Sequence, residues 1–117
     1  MSRIKHIEIA GVKGGELRSF YENLFGWTIT HRDINGFDYY DIATDGKPSA
    51  GIRHEPNGKP EIVVYIQVDS LADSVEKAKA LGATIRIPPM EYGNTQFALI
   101  QDIEGNPIGL IQDETNT

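Results

Sequence analysis

Residues 45–52 read DGKPSAGI, and residues 104–110 read EGNPIGL. Both words run acidic residue, glycine, polar residue, proline, then a short stretch containing one further glycine. A second pair of words precedes them in the same order, LFGWTI at 24–29 and LGATI at 81–85. Glycine and proline recur in the turns of any protein, so either match alone carries little. Two matches in one order, offset by close to half of a 117-residue chain, point to a duplicated unit.

The residues around these words predict the same element order in each half. IKHIEIA (4–10) alternates apolar and polar, a strand with Ile7 and Ile9 on one face and His6 and Glu8 on the other. Gly11, Gly14 and Gly15 read as turn glycines. Leu17, Phe20, Tyr21, Leu24 and Phe25 keep helical spacing with a broad apolar stripe, and Gly26 stops that helix. WTITHR (27–32), FDYYDIAT (37–44) and SAGIRH (49–54) predict three strands, with Asn35-Gly36 a hairpin signal between the first two. EPNGKP (55–60) reads as a linker. EIVVYIQV (61–68) then predicts a strand and Ser70 caps a helix, with Asp73 in capping-box position. Leu71, Val75, Ala78 and Leu81 mark that helix's buried face, and Gly82 ends it. ATIRI (83–87), TQFALIQ (95–101) and PIGLIQ (107–112) complete the second set of strands, with PPMEYGN (88–94) an irregular loop. The prediction is one α+β domain of two βαβββ units, about 4–54 and about 61–112.

Composition bounds the function. Apolar residues make up 39% and charged residues 24%, an ordinary globular mix. There is no cysteine, which removes disulfides, thiolate metal ligands and thiol nucleophiles. The net charge of -6 argues against nucleic acid and is compatible with a cationic ligand. No apolar run is long enough to span a bilayer, and the stretch MSRIKHIEIAGVKGG lacks the apolar core of a signal peptide. The expected location is the cytoplasm, with no membrane partner. Neither G-x-S-x-G nor G-x-x-x-x-G-K-[ST] occurs.

His-Ile-Glu-Ile (6–9), FYENLFGW (20–27), Val68-Asp69-Ser70-Leu71, Ala80-Leu81-Gly82-Ala83 and DIEGNPIGL (102–110) together resemble the vicinal oxygen chelate superfamily of glyoxalases, bleomycin-resistance proteins and extradiol dioxygenases. The likeness runs from about residue 4 to residue 112. It implies a cup-like mixed sheet with helices outside, and commonly a homodimer. Catalytic members hold a divalent metal in the cup, with one ligand from the first and one from the last strand of each unit. The matching positions here are His6, Val63, Gly51 and Gly109, so His6 alone carries a donor. Neighbours of the two glycines (Ala50, Ile52, Ile108 and Leu110) offer none after a one-residue slip. Protein metal sites need about three side chains, so the usual metal site is expected to be absent and no cofactor is assigned.

The expected function is therefore metal-independent binding of a small molecule. His6, Glu8, Tyr65 and Gln67 are the candidate contacts, because polar tips in an apolar cup orient small ligands. Two alternatives stay open. One is a lyase, isomerase or dioxygenase, related to lactoylglutathione lyase, with a non-standard metal site. The other is a resistance protein that sequesters a cationic drug. Tyr39 and Tyr40 are adjacent, so one faces the cup and one the outside. His31 and His54 read as surface residues.

Overall fold

The computed structural model describes residues 2–113. Its elements are β1 (Arg3–Gly11), α1 (Gly14–Phe25), β2 (Ile29–Ile34), β3 (Phe37–Ile42), β4 (Ser49–His54), β5 (Glu61–Gln67), α2 (Leu71–Ala80), β6 (Thr84–Tyr92), β7 (Thr95–Gln101) and β8 (Pro107–Asp113). This is the α+β, twice-repeated βαβββ order expected. Two compact units result: one holds His6–Val63, the other the segment through Lys5 with the chain from Val64 on.

In the first unit the strands lie in the order β2-β3-β4-β1. β1 runs parallel to β4, while β2–β3 and β3–β4 are antiparallel. Tyr40 settles the tyrosine pair, because it joins Ile29, Ile42 and Ile52 in a core that Leu17 and Tyr21 of α1 cover. Strand alternation then sends Tyr39, Ser49, Gly51 and Arg53 to the opposite face, with His6 and Glu8. The second unit repeats the plan with β5 parallel to β8 and antiparallel β7–β8 and β6–β7 pairs. Its core is Val68, Leu71, Val75, Ala98, Ile100 and Leu110. Arg3 Nε donates to Gln67 Oε1 at 3.0 Å, and Lys5 pairs with Asp113, which ties the start of β1 into this unit.

Local rules place several ends. Ser70 Oγ accepts from Asp73 N at 3.2 Å and caps α2. Gly26 closes α1 at φ +69, donating to Glu22 O. In the repeated turn before β8, the Asn106 side chain and the Asn106 and Glu104 amides donate to Asp102 and hold its carboxyl below the ordinary 3.8. That contribution is fully present above the ordinary value and is lost as pH falls through the lower folded-state one.

Four expectations are corrected. Gly14 and Gly15 are not turn glycines; they form the first residues of α1. A Cβ on Gly14 would lie 2.8 Å from His54 Cβ and 3.1 Å from a Tyr40 ring carbon, so close packing demands the glycine. His54 is half-buried rather than a surface residue, because its Nδ1 accepts from Gly14 N at 3.0 Å and satisfies a helix-start amide. PPMEYGN is not a loop: β6 continues to Tyr92, with register shifts between Ile85 and Ile87 and between Ile87 and Met90. Bulges let a strand pass Pro88 and Pro89, which have no amide hydrogen to donate. The apolar helix faces are also wider than their buried contacts. Phe20, Leu24 and Phe25 are each more than half exposed, and Leu81, beyond the last turn of α2, is 69% exposed.

Gly14→Ala and Gly15→Ala should therefore have opposite signs in urea unfolding. Gly15 has only an ordinary 3.7 Å neighbour in the Tyr40 hydroxyl, so alanine gains up to about 1 kcal/mol of helix propensity. Gly14→Ala costs about 1–3 kcal/mol through overpacking.

Candidate functional site

The face of the first unit turned away from α1 carries a continuous polar chain. It begins at Ser49, the exposed first residue of β4, whose Oγ lies 2.6 Å from His6 Nδ1. The parallel register sets His6 directly opposite Ser49. His6 Nε2 meets the Tyr39 hydroxyl at 2.7 Å, and that hydroxyl donates to Glu8 Oε2 at 3.1 Å. Since Tyr39 gives its only proton to Glu8, it accepts from His6 Nε2–H. With a neutral imidazole, His6 Nδ1 then accepts from the Ser49 hydroxyl.

The deep end is ionic. Glu8 is 6% exposed, the one buried charged residue among those described. Arg53 Nη1 donates to Glu8 Oε1 at 2.7 Å, and Arg53 Nη2 donates to Glu61 Oε2 at 3.2 Å. Glu55 stands further off, 3.9 Å from Arg53 Nε. A buried carboxylate without a cation would cost several kcal/mol, roughly, in lost hydration. Arg53 removes that cost for Glu8 and Glu61 together.

Of the sequence-predicted site residues, the structure brings His6 and Glu8 together through Tyr39. Tyr65 and Gln67 lie in the second unit, on the face of β5 opposite Ile66, which packs on that unit's core. Gln67 accepts from Arg3, and the Tyr65 ring covers Gly109 on β8. Ser49, Arg53 and Glu61 were not predicted. A local signal existed, because alternation in SAGIRH already puts Ser49, Gly51 and Arg53 on one face.

The two last-strand glycines have a shared explanation. A Cβ on Gly51 would lie 2.4 Å from the Tyr39 hydroxyl oxygen, and one on Gly109 would lie 2.2 Å from Tyr65 Cδ2. In both units a tyrosine ring occupies the space that a last-strand ligand would need. Val63 is wholly buried hydrocarbon, and both ring nitrogens of His6 are engaged. This donor set does not fit a divalent ion. Among the described residues no three His, Asp or Glu side chains gather to hold one.

A family model described as a glyoxalase-like domain matches residues 9–111. No curated protein matches the chain. Solved structures do. A hypothetical protein from Bacillus halodurans C-125 superposes with a TM-score of 0.74 at 15% identity, over 99% of this chain and 97% of that one. Methylmalonyl-CoA epimerase of Streptomyces coelicolor, in complex with 2-nitronate-propionyl-CoA, gives 0.70 at 13% identity over 97% and 98%. A glyoxalase/bleomycin resistance protein/dioxygenase superfamily member from Vibrio splendidus 12B01 gives 0.70 at 12% identity over 97% and 100%. At these identities the likeness establishes the fold.

The glycine–tyrosine contact is open to a double-mutant cycle. Gly51→Ala should destabilise the protein by about 1–3 kcal/mol. In a Tyr39→Ala background most of that penalty should vanish, a coupling of about 0.5–3 kcal/mol by chemical denaturation. Equal costs in the two backgrounds would show that the ring is not what excludes a side chain there.

Proposed function

The chain belongs to the glyoxalase-like domain family, and from that premise we propose that it binds a small polar molecule without a metal ion. The carrying observation is the polar chain Ser49–His6–Tyr39–Glu8–Arg53 on the sheet face turned away from α1. Sheet faces are cheapest to fill with hydrocarbon, and a hydrogen-bonded network in that position is a costly substitute. Its exposed end, Ser49 and His6, meets the ligand. Tyr39 links Glu8 to that end, and Arg53 holds Glu8 in place. Tyr65 and Gln67 are the second unit's polar pair and belong to the proposal on the same strand-face grounds. A cytoplasmic location belongs to the same proposal; separately, among the described residues no helix is long and apolar enough to cross a membrane.

A thermal-shift screen of small hydroxylated, carbonyl and amine compounds in excess EDTA tests this. Compounds that raise the unfolding midpoint should do so equally with and without the chelator. His6→Ala and Tyr39→Phe should weaken their binding tenfold or more, about 1.4 kcal/mol. Binding that appears only on adding Zn²⁺, Ni²⁺ or Mn²⁺ would refute the metal-free reading. Tyr65→Phe and Gln67→Ala, titrated alike, decide whether each residue touches the ligand.

The same proposal includes a homodimer. α1 presents Phe20, Leu24 and Phe25 to solvent, and Phe25 packs on Trp27 with ring centroids 4.8 Å apart. Beside them runs an open groove of about 720 Å³ lined by Ile9, Leu17, Phe20, Tyr21 and Ile62. A patch this apolar favours association. Leu24→Glu with Phe25→Glu should turn a dimer into a folded monomer in sedimentation equilibrium. A wild-type protein that is monomeric at high concentration refutes it.

A further inference from the structure

Asn-Gly occurs twice in the chain, at Asn35-Gly36 and at Asn57-Gly58. Both asparagines are exposed. This dipeptide is able to modify itself. The glycine amide loses its proton to hydroxide, and its nitrogen bonds to the asparagine Cγ. The bond from Cγ to the side-chain nitrogen breaks, and that nitrogen leaves as ammonia with a proton taken from water. Water then opens the five-membered succinimide at either carbonyl. One opening leaves aspartate. The other leaves isoaspartate, whose main chain runs through the former side chain. The net change is one water taken up and one ammonia lost, with no oxidant, metal or cofactor. Glycine suits the reaction because no Cβ stands beside the attacking nitrogen.

The fold treats the two copies differently. Asn35-Gly36 is the two-residue turn between β2 and β3, closed by the Ile34–Phe37 pair. φ is 52 at Asn35 and 88 at Gly36, the left-handed pair that this kind of hairpin turn needs. Bringing Gly36 N onto Asn35 Cγ requires rotation about the Asn35 Cα–C bond, which a closed ladder resists. The nucleophile is held as well, since Gly36 N donates to Asp33 Oδ1 at 2.9 Å. Taking that proton away would leave a negative nitrogen against a negative carboxylate, a repulsive contact at short range.

Asn57-Gly58 lies between β4 and β5, outside both strands. Gly58 N donates to Glu55 O at 3.1 Å. That acceptor is a neutral carbonyl, so loss of the proton sets no second charge against it. The Glu55 carboxylate is turned to Arg53, 3.9 Å from Nε.

We propose that Asn57-Gly58 is a site of spontaneous backbone modification in the folded protein, converting to aspartate and isoaspartate, while the β2–β3 hairpin keeps the chemically identical Asn35-Gly36 intact. Both products add a carboxylate to the segment, and isoaspartate also lengthens its main chain by one carbon. Glu55 and Glu61, near the two ends of this segment, both stand against Arg53. The modification therefore falls on the stretch of chain that bounds the ionic end of the polar chain. It holds whether or not that face binds a ligand.

The test is peptide mapping by mass spectrometry during incubation in mildly alkaline buffer, on the full wild-type chain, Asn57→Gln and Asp33→Ala, each folded and in concentrated urea. In the folded wild type, Asn57 should convert first, with Asn35 about tenfold slower or more, because its reaction waits for the hairpin to open. Both aspartate and isoaspartate peptides should appear at position 57. In urea the two sites should convert within about threefold of each other, since the unfolded chain no longer distinguishes them. Asn57→Gln should remove the early acidic species from the folded protein. Asp33→Ala should speed conversion of Asn35 and leave that of Asn57 unchanged. Asn35 keeping pace with Asn57 in the folded wild type overturns the proposal. So does a difference between them that persists undiminished in urea, since sequence and not fold would then set it. An Asn57 that stays intact in the folded chain while it converts in urea overturns it too.

Discussion

Glu8 sits in the middle of a strand at 6% exposure, and a carboxylate there imposes its terms on everything nearby. It needs a cation, which Arg53 supplies from the adjacent parallel strand, two residue pairs along the register. It needs a donor for its other oxygen, which the Tyr39 hydroxyl supplies from β3. To reach Glu8, the Tyr39 ring must cross β4, and it can cross only where β4 has no side chain. Gly51 stands directly opposite Glu8 in the register. One buried charge thus accounts for an arginine, a tyrosine and a glycine on two neighbouring strands, and through Tyr39 it orients His6.

The opposite face of the same sheet obeys a different constraint. There Tyr40 packs into an aliphatic core, and α1 approaches so closely that its first residue has no room for a Cβ beside His54 and Tyr40. His54 supplies the hydrogen-bond acceptor that Lys13, at the N-cap, does not offer from its side chain. The adjacent residues Tyr39 and Tyr40 therefore serve two unrelated purposes, one electrostatic and one steric. Alternation of side chains in a strand is what permits this.

The elements readable in the letters are those whose signals are local. β4 and β7 occupy the stretches their alternation predicts, and Ser70 caps α2 where the capping pattern puts it. Gly26 likewise marks its helix end. What was not readable depended on partners distant in sequence. Gly14 belongs to a helix because His54 caps it, forty residues away in the chain. Pro88 and Pro89 stay in a strand because β7 tolerates two shifts of register. Phe20 and Leu24 have the spacing of buried residues, but the sheet is covered by Leu17 and Tyr21 before it reaches them. In the candidate site, His6 and Glu8 were legible from their shared face. The partners that give them meaning, Ser49, Arg53 and Glu61, come from strands whose pairing no single stretch declares.

The duplication sharpens the point. Register equates Gly51 with Gly109, since each stands opposite the middle of its unit's first strand, at Glu8 and at Tyr65. The same equivalence sets His6 against Val63, Glu8 against Tyr65 and Arg53 against Ile111. Both repeats carry the glycine, where backbone and ring pass close, whereas His6, Glu8 and Arg53 of the first repeat correspond to Val63, Tyr65 and Ile111 of the second. Close packing binds both repeats alike, because each must cover a sheet with a ring over a bare glycine. Charge does not, because a carboxylate needs only one partner and can find it within its own repeat. The acids Glu8 and Glu61 and the cation Arg53 all belong to one compact unit, His6–Val63. The architecture stays symmetric while the chemistry does not, and for that reason the chemistry of relatives with the same fold cannot be carried across by superposition alone.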